Sequence, residues 1–290
     1  MQEAIAKAEV LTEALGYIQR FRRKIVVVKC GGSMMDDDRA VSDMLHDIVF
    51  MHAVGIRPVI VHGGGKAINA AMEKAQLEVQ FVQGRRYTDQ RTLAIVEHVL
   101  VREINERLCK TIEAFGASAM GLHSLSSGVL FAEKMFLEQD GRRIDIGLVG
   151  RVTGVNARLV ELLCGADTIP VIAPIARDPT GAKLNCNADT AAGEVAAALR
   201  AEKMVVVSDT HGIRRDPKDP GSLMTAASGG DIRRLIDEKA IDGGMLPKVE
   251  ACLRALEGGV GRTHIIDGKY PHALLLEIFT EKGVGTLIQQ

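Results

Sequence analysis

Lysines beside glycine loops are the residues in this chain whose types and spacing could do chemistry. Lys29 follows the apolar run Ile25-Val26-Val27-Val28 and leads into Cys30-Gly31-Gly32. A second run, Arg57-Pro58-Val59-Ile60-Val61-His62, opens into Gly63-Gly64-Gly65-Lys66. Glycines where a chain leaves a buried strand let the backbone approach a ligand closely and aim its N–H groups at an anion. Two such elbows with lysines predict a site for a phosphate chain. Lys248 stands in a third glycine loop, Gly243-Gly244-Met245-Leu246-Pro247-Lys248. With Pro247 at a first helical position, Lys248 sets a cation against the helix dipole, at a cost of about 0.3–1 kcal/mol. Lys66 is placed in the same way after Gly65. An anion shared between each lysine and its helix end accounts for both placements; a solvated lysine with a tolerated penalty is the plain alternative.

Polar clusters add candidates. Asn185-Cys186-Asn187-Ala188-Asp189-Thr190 precedes a helical pattern. Asp189 or Asn187 is a good N-cap, worth roughly 1 kcal/mol. One cap needs one side chain, however, and here two amides and a carboxylate cluster. In Gly84-Arg85-Arg86-Tyr87-Thr88-Asp89, Thr88 or Asp89 can cap the helix that follows. An arginine there is often merely solvated, but arginine is also the preferred residue for holding a carboxylate in a bidentate grip. Asp36-Asp37-Asp38 lacks the glycine and later glutamate of a calcium loop and reads as a solvated helix start. The familiar phosphate motifs fail. A Walker A loop needs glycine where Ile60 stands and Ser or Thr where Ala67 stands, and no G-x-G-x-x-G follows a strand.

The elements that must position these residues alternate regularly. Strand patterns cover 25–29, 57–62, 117–122, 129–134, 145–153, 168–175, 203–209 and 263–267. Helical patterns cover 40–54, 66–77, 89–115, 156–165, 190–201, 229–238, 247–257 and 271–280. This predicts an α/β fold, a three-layer sandwich with helices on both faces of a mainly parallel sheet. The stretch 129–155, around Asp140-Gly141, reads as an antiparallel excursion, and 212–230 as a loop. Residues 1–22 form an extra helix outside the alternation, with Ile5, Ala8, Leu11, Leu15, Ile18 and Phe21 on one face. It packs on its own domain or on another subunit. A lobe boundary falls near residue 200, giving 1–22, 23–201 and 202–290.

Composition narrows the partners. The net charge is −1, so no strong field attracts nucleic acid or an acidic membrane surface. No apolar run approaches the roughly 18 residues that span a bilayer. Glu3, Glu9 and Glu13 interrupt any apolar leader. Five scattered cysteines with no zinc spacing read as reduced thiols of a cytoplasmic protein.

In order along the chain, these segments resemble the amino acid kinase family, in its branch that phosphorylates N-acetyl-L-glutamate. The carrying segments are Val28 to Gly32, His62 to Gly65, Gly84 to Thr88, Asn185 to Asp189, Ser208-Asp209-Thr210-His211-Gly212 and Gly243 to Lys248. The resemblance implies transfer of the ATP γ-phosphoryl group to the side-chain carboxylate of acetylglutamate, chiefly by positioning and charge stabilisation. By resemblance, Lys29 and Lys248 neutralise the transferring group from two sides, and Asp189 holds both lysines. Gly31, Gly32 and Gly64 offer backbone N–H groups, and Gly63, Gly65 and Asn187 complete the substrate wall. Arg86 and Asn185 take the α-carboxylate end of acetylglutamate. Ser208, Asp209, His211, Gly212, Gly244 and Met245 lie at the nucleotide. Mg2+ arrives on ATP, and no side chain is assigned to it as a ligand.

A second layer is implied by the same resemblance. His264 to Gly268, Leu274 to Glu277 and Gly283 to Thr286 resemble the arginine-binding region of feedback-inhibited members. Those members interlace dimers into a hexameric ring through an N-terminal helix. His264, Glu277, Gly283, Lys203 and Tyr17 are then the regulatory candidates, and a nitrogen-signalling protein is a partner in some relatives. Cys30, Ser33 and the Arg214-Arg215-Asp216-Pro217 loop depart from the pattern. The rivals are aspartate, glutamate, carbamate or nucleoside monophosphate kinases, a catalytically silent arginine sensor on the same scaffold, and a dinucleotide oxidoreductase.

Overall fold

The computed structural model describes all 290 residues except 124–127, 140, 217, 281 and 282, with the backbone alone at 2–4, 6–8, 10, 11 and 220. The chain begins with α1 (Gln2–Phe21), then β1 (Ile25–Cys30), α2 (Asp38–Ala53), β2 (Arg57–His62) and α3 (Gly65–Lys74). A small hairpin, β3 (Phe81–Val82) with β4 (Arg85–Arg86), leads to α4 (Gln90–Glu97). A π-helical stretch, His98–Asn105, joins α4 to α5 (Glu106–Ala114). Next come β5 (Ser118–Leu122), β6 (Leu130–Gln139), β7 (Arg142–Val155), α6 (Ala157–Gly165) and β8 (Thr168–Ile172). Then follow β9 (Ile175–Arg177), β10 (Lys183–Cys186), α7 (Ala188–Ala198) and β11 (Lys203–Ser208). The chain closes through β12 (Ala226–Ser228), α8 (Gly229–Asp237), α9 (Leu246–Glu257), β13 (Arg262–Asp267), α10 (Ala273–Phe279) and β14 (Thr286–Gln289).

Eight strands form one sheet in the order β12-β14-β13-β11-β1-β2-β8-β5. Pairing is parallel throughout except between β13 and β14. The strands at its centre are buried on both faces, as continuous β-branched runs require. Val26 and Val28 pack with Met44, Leu45 and Ile48 of α2 on one face. Val27, between them, packs with Ala191 and Val195 of α7 and Val249 of α9 on the other. Each fully buried valine contributes roughly 1.5–3 kcal/mol of gross burial. Both faces are thus closed, and the layers are the three the alternation predicts. The sheet runs without a break across residue 201 through the β1–β11 pairing.

The antiparallel excursion is present as β6 and β7. Together with β9 and β10 they close into a small barrel beside the main sheet. The turn expected at Asp140-Gly141 includes Asp140, outside the described residues. Three expectations need correction. The strand expected at 168–175 ends at Ile172, before Pro174, which has no N–H to donate to a ladder, and resumes in a different sheet as β9. The loop 212–230 contains β12 and a 3-10 turn, Pro220–Ser222. The helix 89–115 is continuous, but its middle eight residues are π-helical.

Candidate active site

Parallel pairing sets the centre of the site. β1 and β2 run side by side with Cys30 opposite His62, so both glycine elbows leave the same end of the sheet. The Gly63 N–H donates to the Cys30 carbonyl at 2.8 Å. Ligands of open α/β sheets bind in the crevice beyond the strand C-termini. Here that crevice is a cavity of about 400 Å3. Lys29, Gly31, Gly32, Gly63, Gly64, Gly65, Arg86, Asn185, Asn187, Asp189, Asp209 and Lys248 all line it. The sequence candidates from six separate segments therefore meet on one surface.

Charge is concentrated on the floor. Asn187 is the N-cap of α7, its Oδ1 accepting the Thr190 N–H at 2.9 Å. That leaves Asp189, in the first turn, to face Lys29, with Nζ 2.7 Å from Oδ1 and side chains only 4% and 10% exposed. Burial pushes the Asp189 carboxyl up, but Lys29 and Lys248 outweigh it and hold the group below the usual carboxylate range. The Lys248 ammonium is pulled below its ordinary range by burial, against the attraction of Asp189 and with the repulsion of Lys29. Its Nζ donates to the Gly244 carbonyl at 3.0 Å. Two cations thus converge on one anion, leaving net positive charge where a phosphate chain can sit.

The far wall holds Arg86. Its Nη2 donates to Asn69 Oδ1 (2.5 Å) and to the Gly65 carbonyl (3.2 Å), and its plane lies 4.9 Å over the Phe81 ring. Asn69 and Phe81 both line the cavity. Thr88 ties this wall together: its hydroxyl donates to the Arg86 carbonyl (3.0 Å) and accepts from Asn185 Nδ2 (3.2 Å). Thr88 is held in turn by backbone bonds to β7, from Leu148 N–H and to the Ile146 carbonyl. Gly147 lies between those partners at φ +81°, where a Cβ would strike the Thr88 carbonyl. Asp89, rather than Thr88, caps α4.

A second cavity, of about 320 Å3, adjoins the first through Asp209. Thr210, His211, Gly212, Ile213, Arg214, Ala240, Ile241, Asp242 and Met245 complete its lining. Ser33 holds Asp209 by its hydroxyl (2.5 Å) and its N–H (3.2 Å), which draws that carboxyl down to about 2. His211 pairs with Asp267 at 2.8 Å. Ser208 is fully buried behind this wall, with its hydroxyl toward Asp209 and Thr210. Gly244 enters as the acceptor for Lys248 rather than as lining of either cavity. Pro217, in the unusual loop continuation, lies outside the described residues.

Asp36-Asp37-Asp38 is not simply solvated. Asp37 caps α2, Asp36 pairs with Lys66 at 3.0 Å and Asp38 with Arg107 at 3.2 Å. Lys66 lines the cavity yet spends its charge at the rim, in an exposed pair worth about 0.2–1 kcal/mol.

The regulatory candidates gather elsewhere. His264 Nδ1 and Glu277 Oε1 are 2.5 Å apart, both buried, and Glu277 Oε2 accepts the Val284 N–H at 2.7 Å. Gly283 lies against the same carboxylate. Lys203 is buried over the Phe21 ring at 4.7 Å, and burial draws its ammonium down to about 8 against the pull of Glu277. Tyr17 packs edge-on to Phe279.

Sequence reasoning noted Ser33 only as a departure from a pattern, and missed Asn69. Ser33 had a signal, its place in the first glycine loop. Asn69 had none, being one amide in the amphipathic α3. All five cysteines are free thiols, and among the described residues no helix is long and apolar enough to cross a membrane.

Comparison with known proteins agrees with this geometry. The model of the amino acid kinase family matches residues 24–267. The acetylglutamate kinase of Heliobacterium modesticaldum is 46% identical over 99% of this chain and 99% of its own. That of Methanocaldococcus jannaschii is 46% identical over 99% and 98%. The N-acetylglutamate synthase of Neisseria gonorrhoeae, solved with coenzyme A and N-acetyl-glutamate, superposes with a TM-score of 0.85 at 23% identity, a likeness of fold. It covers 98% of this chain, which spans 63% of that one. With the family model running from just before β1 to the last residue of β13, and curated relatives matching end to end, the chain belongs to the amino acid kinase family.

Proposed function

We propose that this chain transfers the γ-phosphoryl group of ATP to the side-chain carboxylate of N-acetyl-L-glutamate, giving an acyl phosphate and ADP, a step of arginine biosynthesis. The observation that carries the reading is the Lys29–Asp189–Lys248 centre, set beside the glycine elbows where two cavities adjoin. Full-length relatives named acetylglutamate kinase support the choice of acceptor. In this reading a carboxylate oxygen attacks the γ-phosphorus while the bond to the β-bridging oxygen breaks. Little covalent help is needed, and charge stabilisation dominates. Lys29 and Lys248 neutralise the transferring oxygens, and Asp189 keeps the two lysines from repelling each other out of place. Gly31, Gly32 and Gly64 supply N–H groups.

Acetylglutamate fills the first cavity, its α-carboxylate toward Arg86 and Asn185 and its body along Gly63, Gly65 and Asn187. The nucleotide fills the second, against Asp209, His211, Gly212 and Met245. On this reading 23–201 is the acceptor lobe and 202–290 the nucleotide lobe. Asp189 is committed to the lysines and Asp209 to Ser33. Among the described residues no group of three metal-binding side chains occurs. The donors present fit a magnesium ion that is carried by the phosphates as part of the nucleotide substrate. Free cysteine thiols support a cytoplasmic location.

The C-terminal cluster supports arginine feedback. Glu277 and His264, with Lys203 facing them and Tyr17 of α1 close by, form a buried polar group suited to a guanidinium and an α-carboxylate. Ile5 and Leu15 of α1 are 50% and 48% exposed, which supports the helix pairing with another subunit in a hexamer. Sedimentation showing dimers alone, with activity indifferent to arginine, would remove this second layer.

The test of the main reading is hydroxylamine trapping of the acyl phosphate, with ATP and acetylglutamate, glutamate, aspartate or bicarbonate with ammonia in turn. Hydroxamate from acetylglutamate alone is the expected result. Hydroxamate from none of the carboxylate acceptors defeats the kinase assignment.

A further inference from the structure

His62 and Asn105 are buried polar residues that the proposed chemistry leaves unused. His62 ends β2, directly before the second glycine elbow, and is 0% exposed; Asn105 ends the π-helical stretch and is 2% exposed. Buried polar side chains carry a desolvation cost unless their hydrogen bonds are made. Here they are made in a chain. Asn105 Nδ2 donates to the Val171 carbonyl at 2.9 Å and lies 3.0 Å from His62 Nε2. His62 Nδ1 lies 3.1 Å from the Gly63 carbonyl.

The proton positions follow by elimination. A backbone carbonyl only accepts, so the atom of Asn105 facing Val171 is its amide nitrogen. That nitrogen has a second hydrogen, and it faces Nε2, which must accept. The imidazole proton is then on Nδ1, which donates to the Gly63 carbonyl. Burial draws the His62 ring down to about 4, so this neutral form holds at neutral pH.

The consequence lies one peptide further on. The Gly63–Gly64 peptide is trans, so its C=O and N–H point in opposite directions. A carbonyl anchored toward His62 turns the Gly64 N–H away from the ring. Gly64 lines the catalytic cavity and is fixed from below, since a Cβ there would come within 2.5 Å of Ile104 and 2.8 Å of Leu100. Both of those side chains and Asn105 come from the π-helical stretch, a wide turn of the kind that occurs at functional sites.

Resting on the acetylglutamate kinase reading, we propose that His62 is a positioning residue, held in its Nδ1–H form by Asn105, that aims the Gly64 N–H at the transferring phosphoryl group.

Two variants separate this role from mere packing. His62→Asn places an amide N–H where Nδ1 stands, keeping the donor to the Gly63 carbonyl but losing the partner of Asn105. His62→Gln reaches the Nε2 position, keeping the partner of Asn105 but losing the donor to Gly63. Removing a charge-stabilising donor costs about 10²–10³ in kcat, and misaiming one should cost about 10- to 100-fold. The expected result is kcat reduced about 10- to 100-fold in His62→Gln, with KM for ATP nearly unchanged, and less than about 5-fold in His62→Asn. The reverse order, with Gln the better replacement, would overturn the proposal. Nitrogen-15 imidazole shifts of the unaltered enzyme give a second reading that needs no variant to fold. Protonated Nδ1 at pH 7 is expected, and protonated Nε2 overturns the proposal. Absence of acetylglutamate-dependent hydroxamate in the unaltered enzyme would instead fault the kinase reading, leaving the tautomer result to stand on its own.

Discussion

Changing Asp189 to asparagine tests the charged floor of the site. Lys29 and Asp189 are both nearly buried at 2.7 Å, so removing the carboxylate charge leaves an ammonium group desolvated and unpaired. Breaking a buried pair from one side costs about 3–5 kcal/mol. At about 2 °C per kcal/mol for a chain of this size, the melting midpoint should fall by roughly 6–10 °C. Turnover should fall by about 10²–10³, because both lysines lose the anion that holds them. A third effect concerns Lys248. The Asp189 charge raises its affinity for a proton against burial, so its loss moves the alkaline limb of kcat to lower pH. The double variant Lys29→Met with Asp189→Leu isolates the cause. Replacing both members of a buried pair by apolar groups is often neutral, so most of the lost midpoint should return while turnover stays down. The assay is calorimetry beside hydroxamate formation over a pH series. A single variant melting within about 1 °C of the unaltered protein would refute the reasoning, since that is the scale of a solvated surface change. So would a double variant that melts as low as the single one.

Three further outcomes follow from the same geometry. Asp209 is held at about 2, chiefly by the Ser33 hydroxyl. Its contribution to stability is therefore present above the unfolded carboxylate value, about 3.9, and is lost as pH falls toward 2; in Ser33→Ala, carbon-13 titration should place Asp209 higher, stability above about pH 4 should be lower, and less of it should be lost between about pH 4 and 2. Gly64→Ala forces a methyl group against Ile104 and Leu100; overpacking should cost about 1–3 kcal/mol by urea melts and lower kcat, and an unchanged variant would show that the elbow is not packed against the π-helical stretch. Glu277→Gln removes the charge of the buried pair with His264; on the arginine-feedback reading proposed above, the arginine concentration for half-inhibition in the hydroxamate assay should rise about 10- to 100-fold, the worth of one hydrogen bond to a charged group.

Much of the fold was legible because buried parallel strands have a plain signature. Val26 to Val28 and Val59 to Val61 are apolar on both faces, and no surface strand reads that way. The elbows were legible for the same reason, since glycine after such a run has few other uses. What stayed hidden was settled by tertiary contact. Nothing local tells the hydroxyl of Ser33 from that of Thr88, yet one holds Asp209 and the other joins Arg86 to Asn185. The choice between Asn187 and Asp189 as the cap of α7 turned on Lys29, 160 residues earlier in the chain, which claims the carboxylate and leaves the amide to the helix. The break after Ile172 was signalled by Pro174, but the move of β9 into another sheet depended on β10, with which it pairs.

Oxygen tracing tests the central claim most directly. Acetylglutamate carrying oxygen-18 in its side-chain carboxylate is incubated with ATP, magnesium and hydroxylamine, and the released phosphate is read by phosphorus-31 NMR. If the carboxylate attacks the γ-phosphorus, the bridging oxygen of the acyl phosphate is labelled. Hydroxylamine then takes the acyl carbon, and phosphate leaves with one oxygen-18 atom. Singly labelled phosphate in step with hydroxamate is the expected result. Unlabelled phosphate would mean that water rather than the substrate carboxylate accepts the phosphoryl group, and would contradict the account.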